Sequence, residues 1–574
     1  MSASCNVGPR PAGMGGPRVT KGWQGVRRAK RCKPLPIMQR VCQVNARRLP
    51  MPLQTHPRDF HRFRATLLTG VLLSGGCMLA WSSTALAAEA APGVPSDDAI
   101  YQHIEKLASL GLRMPGRAAS RAASDYVYAQ FTDSSLQRVA FEEAETLVWQ
   151  ASHWGLSVNG QALPCSPMQH TFHHGVPGPF STGPQGVNAP LVYVGNGSAW
   201  DYWVKDVRGK IVVADVPFSK NSATLFKPFM LGLQDTANTF PWDYMLVDPY
   251  SGGDFPDNYY RAMKGGALGF VGILVDYADS HQYRNEAYDA YRPGKAMSMP
   301  ALWMSPVQGA TLVAQIKAAK PDGVQARLEL EGQLTQQTGR GVYGYLPGMS
   351  DETVLIESHH DASTTQGAVE DASGAAEVMA LARYFGQLPR SARPRTLMFA
   401  TMDSHFTDYA VHRAFAQRHL REGNPSGDKV VAVVSVEHIG MEYLKGPDGG
   451  WRASGRLVPH ALMVSAEVKG FKEIALNAMS RFGLERTFAV STSLVDLVAG
   501  GTLPADSDDF WKVGLPVIAY VGAPLYLYDE ADTPDKVARH DLNRVARAFA
   551  SVVEQISALP SANFKRLPDK TAVH

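Results

Sequence analysis

Cysteine is nearly absent from the part of this chain that could build a core. Of five cysteines, Cys5, Cys32, Cys42 and Cys77 come early, and only Cys165 lies further on. A lone thiol closes no internal disulfide and offers no cysteine-based zinc site, so stability has to come from the extent of the core. Acidic residues are missing from the first 58 positions, which hold twelve Lys or Arg. That stretch has neither helical nor strand periodicity and is set apart as a basic, disordered leader (1–58), with Met38 and Met51 as alternative starts. A long apolar run is missing too. Ala65 to Trp81 covers 17 residues with three glycines, short of the roughly 20 that cross a bilayer.

That short run reads instead as the centre of an export signal over 59–87. Arg62 and Arg64 precede it, and Ala85 and Ala87 behind it fit a small-x-small cleavage site, so the mature chain is expected to begin near Ala88. A lipid attached at Cys77 is disfavoured, since SGGC lacks the leucine usual three residues before such a cysteine. The expected location is the periplasm or the exterior, with no membrane contact after cleavage. Residues 1–87 carry a net +13, so the formal +3 of the whole becomes about −10 for the mature chain. Basicity is therefore a property of the leader. No basic, aromatic-interleaved stretch follows it, which excludes nucleic acid as a partner.

What is present is globular texture, with 45% hydrophobic residues spread along the chain. Residues 97–130 carry apolar positions at helical spacing, broken by an MPG turn, and predict two amphipathic helices. A mixed segment follows to 183. Between 184 and 325 short apolar runs bounded by glycine (APLVYVG, GKIVVADV from Gly209 to Val216, GGALGFVGILVD from Gly265 to Asp276, MPALWMS) predict a small β-rich module. From 326 to 560 buried-type strands alternate with helices: TVLIES (353–358), a helix over 372–388, RTLMFATM (395–402), a helix through YAVHRAFAQRHL, and KVVAVVSV (429–436). Residues 561–574 form a tail. This alternation predicts an α/β fold of three layers, a mixed, largely parallel sheet with helices on both faces. Ligands in such sheets bind beyond the carboxyl ends of the strands.

Those ends carry chemistry. The first stops at His359-His360-Asp361, the second at Asp403-Ser404-His405 and the third at Glu437-His438, while GAVEDASG sets Glu370 and Asp371 before a helix. Singly, a strand-end histidine is a satisfied core residue and an acidic pair before a helix is a cap. Three successive ends delivering imidazole or carboxylate form a ligand set for zinc or another divalent ion.

The order H-x-D, then G-A-x-D-x-x-S-G at a helix start, then a strand ending in carboxylate, resembles metallopeptidase family 28, the zinc-exopeptidase group of aminopeptidases, glutamate carboxypeptidases and glutaminyl cyclases. ADSDDFWKVGLPVIAYVG is similar to its S-D-H-x-P-F segment, YDEADTPDKV to its closing signature, and the β-rich module to a protease-associated domain. The resemblance implies His359 as a metal ligand, Asp361 as the carboxylate orienting it, Glu370 where the family has a bridging aspartate, and Glu437 where it has a further aspartate ligand. His405 falls at the general-base position. Phe406 and Ser507 fall where the family has a ligand Glu and a ligand His, leaving Asp506, Asp508 and Asp509 nearby. The expectation is therefore one ion, two not being excluded, held by His359, Glu370 and Glu437, with His405 as base. Alternatively His405 and Asp508 rebuild a second site. The implied activity is hydrolysis of amide bonds in a peptide or aminoacyl substrate. The rivals are a catalytically inactive binding protein on a peptidase scaffold and a cyclase-like acyltransferase.

Overall fold

The runs that read as buried strands have Val, Leu and Ile in unbroken succession, which is how a strand covered on both faces is written. In the computed structural model, described for residues 93–571 apart from 243–244, 249–252, 277–293, 320–322 and 447–449, they form the middle of a mixed sheet. The leader and the export signal lie outside the described residues. Residues Ala88–His574 form one compact unit. No described helix is long and apolar enough to cross a membrane.

Two helices open the described chain, α1 (Asp97–Ser109) and α2 (Ala118–Asp133). Ser96 caps α1 by accepting from the Ala99 N–H, and Asp97 and Asp98 sit at its positive end. A 22-residue strand follows, β1 (Gln137–Val158). Further along the chain four short strands lie side by side: β2 (Val187–Tyr193), β3 (Ile211–Asp215), β4 (Gly269–Ile273) and β5 (Ala301–Met304). They run parallel, with helices at Ala199–Val204 and Asp257–Lys264 between them. Helical segments as well as strands are thus found among the described residues of 184–325. Strand β6 (Gln325–Leu346) pairs antiparallel with β1 along most of its length, and its first residues also pair with β2.

The rest of the chain supplies β7 (Ser350–His359), α3 (Ser373–Gln387), β8 (Arg395–Met402), α4 (Ala410–Phe415), β9 (Lys429–Glu437), β10 (His460–Val464), α5 (Phe471–Arg481), β11 (Thr487–Ser491), β12 (Val517–Gly522) and α6 (Leu542–Ser557). The sheet order is β1-β6-β8-β7-β9-β12-β10-β11. Strands β8, β7, β9 and β12 are parallel, and β6 and β10 run against them. Alternation along β7 sorts its residues by face. Val354 and Ile356 pack with α1, α2, α3, α5 and α6, whereas Leu355 packs with Val411 and Phe415 of α4 and with Phe510. Glu357 and His359 therefore share the α4 side.

The segment after α4 is tied down by charge. His419 Nδ1 lies 2.7 Å from Asp428 Oδ2 and its Nε2 lies 3.5 Å from Glu142 Oε2. Burial disfavours the imidazolium, but Asp428 and Glu142 outweigh it and hold the His419 pKa above its ordinary 6.5. Burial likewise opposes ionisation of Asp428, yet His419, Ser426 and Tyr345 carry it down to about 2. The histidine's contribution is complete below pH 6.5 and is lost as pH rises through the raised value. The aspartate's is complete above about pH 4 and is lost toward pH 2. Chemical denaturation of His419→Gln should accordingly show a stability curve flatter than wild type between pH 6 and 8, with the two converging at high pH.

Candidate metal centre

The site lies at the carboxyl ends of the parallel strands β7, β8 and β9. Strand β7 delivers His359, fully buried, with Nδ1 3.0 Å from Asp361 Oδ1. Its other nitrogen, Nε2, faces Glu370 Oε1 at 3.2 Å and Asp506 Oδ1 at 3.9 Å. Asp361 thus stands where a carboxylate fixes the ring of a ligand histidine. Burial, then the charge of Asp403, push the Asp361 carboxyl well above its ordinary range, and burial and His405 push His359 well below its own.

The loop carrying Asp361 and Glu370 is clamped from beneath. Arg113, fully buried, donates from Nε to the His360 carbonyl, from Nη1 to Leu107 and Gln366, and from Nη2 to Gly367, at 2.7–3.0 Å. Burial lowers its pKa to about 10 against the opposing pull of Asp361, Asp532 and Asp371. Gly367 has φ +49°, and a Cβ there would fall 2.3 Å from the Ala362 Cβ, so only glycine closes this turn. Asp532 then accepts from the Val369 and Glu370 N–H groups at 2.8 and 3.0 Å.

Glu370 is the hub. Its Oε1 faces His359 and, at 3.7 Å, His405 Nε2, while its Oε2 lies 2.7 Å from His438 Nε2. Burial opposes a charge on His438, but Glu370, then Asp371 and Glu437, hold its pKa well above 6.5. Asp371 does a different job. It accepts from Ser358 Oγ, the Gly374 N–H and the His438 N–H, and so pins the start of α3 to two strand ends.

Strand β8 delivers His405, whose ring stacks on His359 with centroids 4.1 Å apart. Its Nδ1 is 3.1 Å from Asp506 Oδ1, near enough for an ion pair though not aligned as a hydrogen bond. Tyr409, partly exposed, brings its hydroxyl to 3.2 Å from His405 Nε2. Phe406 packs edge-on against His359 and beside His405, and so walls one side of the site.

His359, Glu370 and His405 each offer a donor atom within 4.8 Å of the others. The 3.2 and 3.7 Å separations bracket the roughly 3.3–3.5 Å edge of a tetrahedron with zinc-length bonds. His359 Nε2, Glu370 Oε1 and both oxygens of Asp506 are buried without a hydrogen-bond partner. Imidazole and carboxylate left facing one another in this way fit a divalent cation. Glu437 stands outside the donor groups found among the described residues. Its Oε1 accepts from Ser435 Oγ at 2.7 Å and from the Asp506 N–H at 3.1 Å, and burial and Asp506 push its carboxyl well above the usual range. Asp508 is turned away, accepting from the Leu503 N–H and pairing with Lys512.

Two further buried groups lie on the α4 side. Glu357, on β7, and His412, on α4, form a donor group with Asp506. Burial and Asp506 push Glu357 well above its ordinary range, and burial and His405 push His412 well below its own. Sequence reasoning missed both. A charged residue inside TVLIES was the available signal for Glu357, and His412 had none beyond helical spacing. Arg113 was missed as well, because its partners are all backbone carbonyls.

Replacing Arg113 by Leu strands four buried carbonyls that it now satisfies. Urea unfolding should show a loss on the order of 3–5 kcal/mol, and Arg113→Lys, with one point charge and no fork, should recover only part of it.

Residues 341–553 match the model of peptidase family M28. Among curated proteins none matches the chain in sequence. Solved structures do match it in fold. The Peptidase M28 precursor from Shewanella amazonensis SB2B is 17% identical with a TM-score of 0.59, covering 82% of this chain and all of its own. BSAP, a zinc aminopeptidase from Bacillus subtilis, is 15% identical with a TM-score of 0.56, covering 83% and 100%. The aminopeptidase from Aneurinibacillus sp. strain AM-1 is 19% identical with a TM-score of 0.51, covering 83% and 97%. At these identities the likeness establishes the zinc-aminopeptidase fold.

Proposed function

On the premise that residues 341–553 carry the sequence of peptidase family M28, we propose that this protein is an exported, metal-dependent hydrolase of amide bonds, acting on a peptide or aminoacyl substrate. The observation that carries the reading is the pair of stacked imidazoles, each with Nδ1 beside a carboxylate and Nε2 toward Glu370 Oε1. His359, Glu370 and His405 would hold the ion, with Asp361 and Asp506 orienting the two rings. His405 is then a ligand in place of the base that its position suggests. When bound, such an ion supplies Lewis acidity toward a carbonyl and lowers the pKa of water at its open position to about 7, so deprotonation needs no strong base.

The remaining work falls to the chain. His438 fixes Glu370 Oε2 and leaves Oε1 for the imidazoles. Tyr409, whose hydroxyl lies 3.2 Å from His405 Nε2, would in this reading donate that hydroxyl to an oxyanion. We assign export to the signal over 59–87 and read 184–325 as a protease-associated module. Neither enters the chemistry.

Burial favours one competing reading. His359, Glu370, His405 and Asp506 are at most 3% exposed, and closed metal sites are the structural kind. The two readings part on turnover.

Purified protein should release chromophore from a panel of aminoacyl and acyl-amino-acid amides. Tyr409→Phe should keep its metal and lose roughly 10- to 1,000-fold in kcat. His405→Ala should lose the ion. A His405→Ala protein that retained full metal with kcat reduced would make His405 the base, and metal-replete wild type with no turnover on any amide would leave the structural reading.

A further inference from the structure

The pair Glu357 and His412 has no task in the centre just described. Glu357 precedes His359 by two residues on β7, so it faces the same side about 7 Å further down the strand. Neither of its oxygens has a hydrogen-bond partner. Ser435, its neighbour across the β7–β9 register, donates to Glu437 at 2.7 Å while lying near enough to Glu357 to favour its ionised form. His412 projects from α4 and is fully buried, with both ring nitrogens unpartnered. Its ring stacks on Phe510 at 6.0 Å and meets Tyr409 edge-on at 5.1 Å, so much of its surface is aromatic. A buried imidazole without a hydrogen bond on either nitrogen, beside a glutamate without one on either oxygen and an aspartate with Oδ2 to spare, is the arrangement that a bound cation would satisfy.

We propose that Glu357, His412 and Asp506 form a second divalent-cation site, set beneath the first on the α4 side of the sheet. Donor atoms of the three lie within 4.8 Å of one another, and a small contraction brings them to the edges of a four-coordinate site with bonds of about 2.0–2.2 Å. Two carboxylates balance the charge of the ion, and one imidazole directs the site toward zinc or manganese and away from calcium or magnesium. Asp506 joins the two centres. One oxygen faces His405, and a carboxylate has lone pairs enough on the other to reach a second cation. The half of the pattern rewritten at Phe406 and Ser507 is thereby replaced with donors from different elements. The site rests on donors other than His359, Glu370 and His405, and stands or falls separately from the proposed hydrolase centre.

The test is the position and number of ions. Protein reconstituted with zinc and crystallised should give two anomalous peaks at the zinc edge, one among His359, Glu370 and His405 and one among Glu357, His412 and Asp506. Elemental analysis should find two equivalents, falling to one in Glu357→Gln and in His412→Leu, with the peak at His359 retained. Circular dichroism establishes that each variant is folded, and the near-isosteric Glu357→Gln carries the test should His412→Leu fail to fold. A peak at His359 alone, or variants that keep wild-type metal content, would overturn the second site and leave the first. A peak at Glu357 alone would support the second site and overturn the first. No ion in either place would overturn both.

Discussion

Charge without a counter-charge cannot stay buried, and the centre of this protein is arranged around that constraint. Glu357, Asp361, Glu370, Asp371, Glu437 and Asp506 are all essentially inaccessible, crowded at and just below three strand ends. The buried cations near them are few. Arg113 is committed to carbonyls, and His438 faces Glu370. The upward shifts of Asp361, Glu437 and Glu357, each led by burial, express the same fact. A carboxylate cluster so placed either takes up protons or takes up a cation, and a divalent ion reverses the local balance at once.

The geometry around Glu370 gathers three imidazoles about one carboxylate. A glutamate reaches one methylene further than the aspartate expected there. With the backbone held by Asp532 and the chain reversed at Gly367, that extra length lets Oε1 face two imidazoles and Oε2 a third. His405 matches this reach, since its ring lies over that of His359 and both point Nε2 inward. Phe406 closes the space behind them.

His359, Asp361, Glu370 and His405 were legible from the sequence because strand ends in a parallel sheet converge, and reading where β7 and β8 stop was enough to bring them together. The α/β layering followed from the same strands and helices. Glu437 was legible as a strand-end residue but not in its direction, which is set by the Asp506 N–H and Ser435, one of them from a distant turn. Glu357 was concealed inside an otherwise apolar run. His412 was concealed because a helical position acquires meaning only once α4 is packed on a particular face. Strand β1 was lost in a mixed segment for a related reason, since its solvent-facing residues interrupt the apolar pattern and its partner β6 lies about 190 residues away.

Placement of Asp506 links metal binding to the working of the site. It comes from the turn before the short helix Asp508–Lys512, is fully buried, and contacts His359 and His405 while forming a donor group with Glu357 and His412. Any cation on the α4 side draws on this carboxylate and so changes the field at His405. The lower site would then tune the upper one through one shared side chain, with no movement of the sheet. Helix α4 gains a role from this as well. The segment after it is held by His419 between Asp428 and Glu142, and α4 itself carries His412 to the buried group with Glu357 and Asp506.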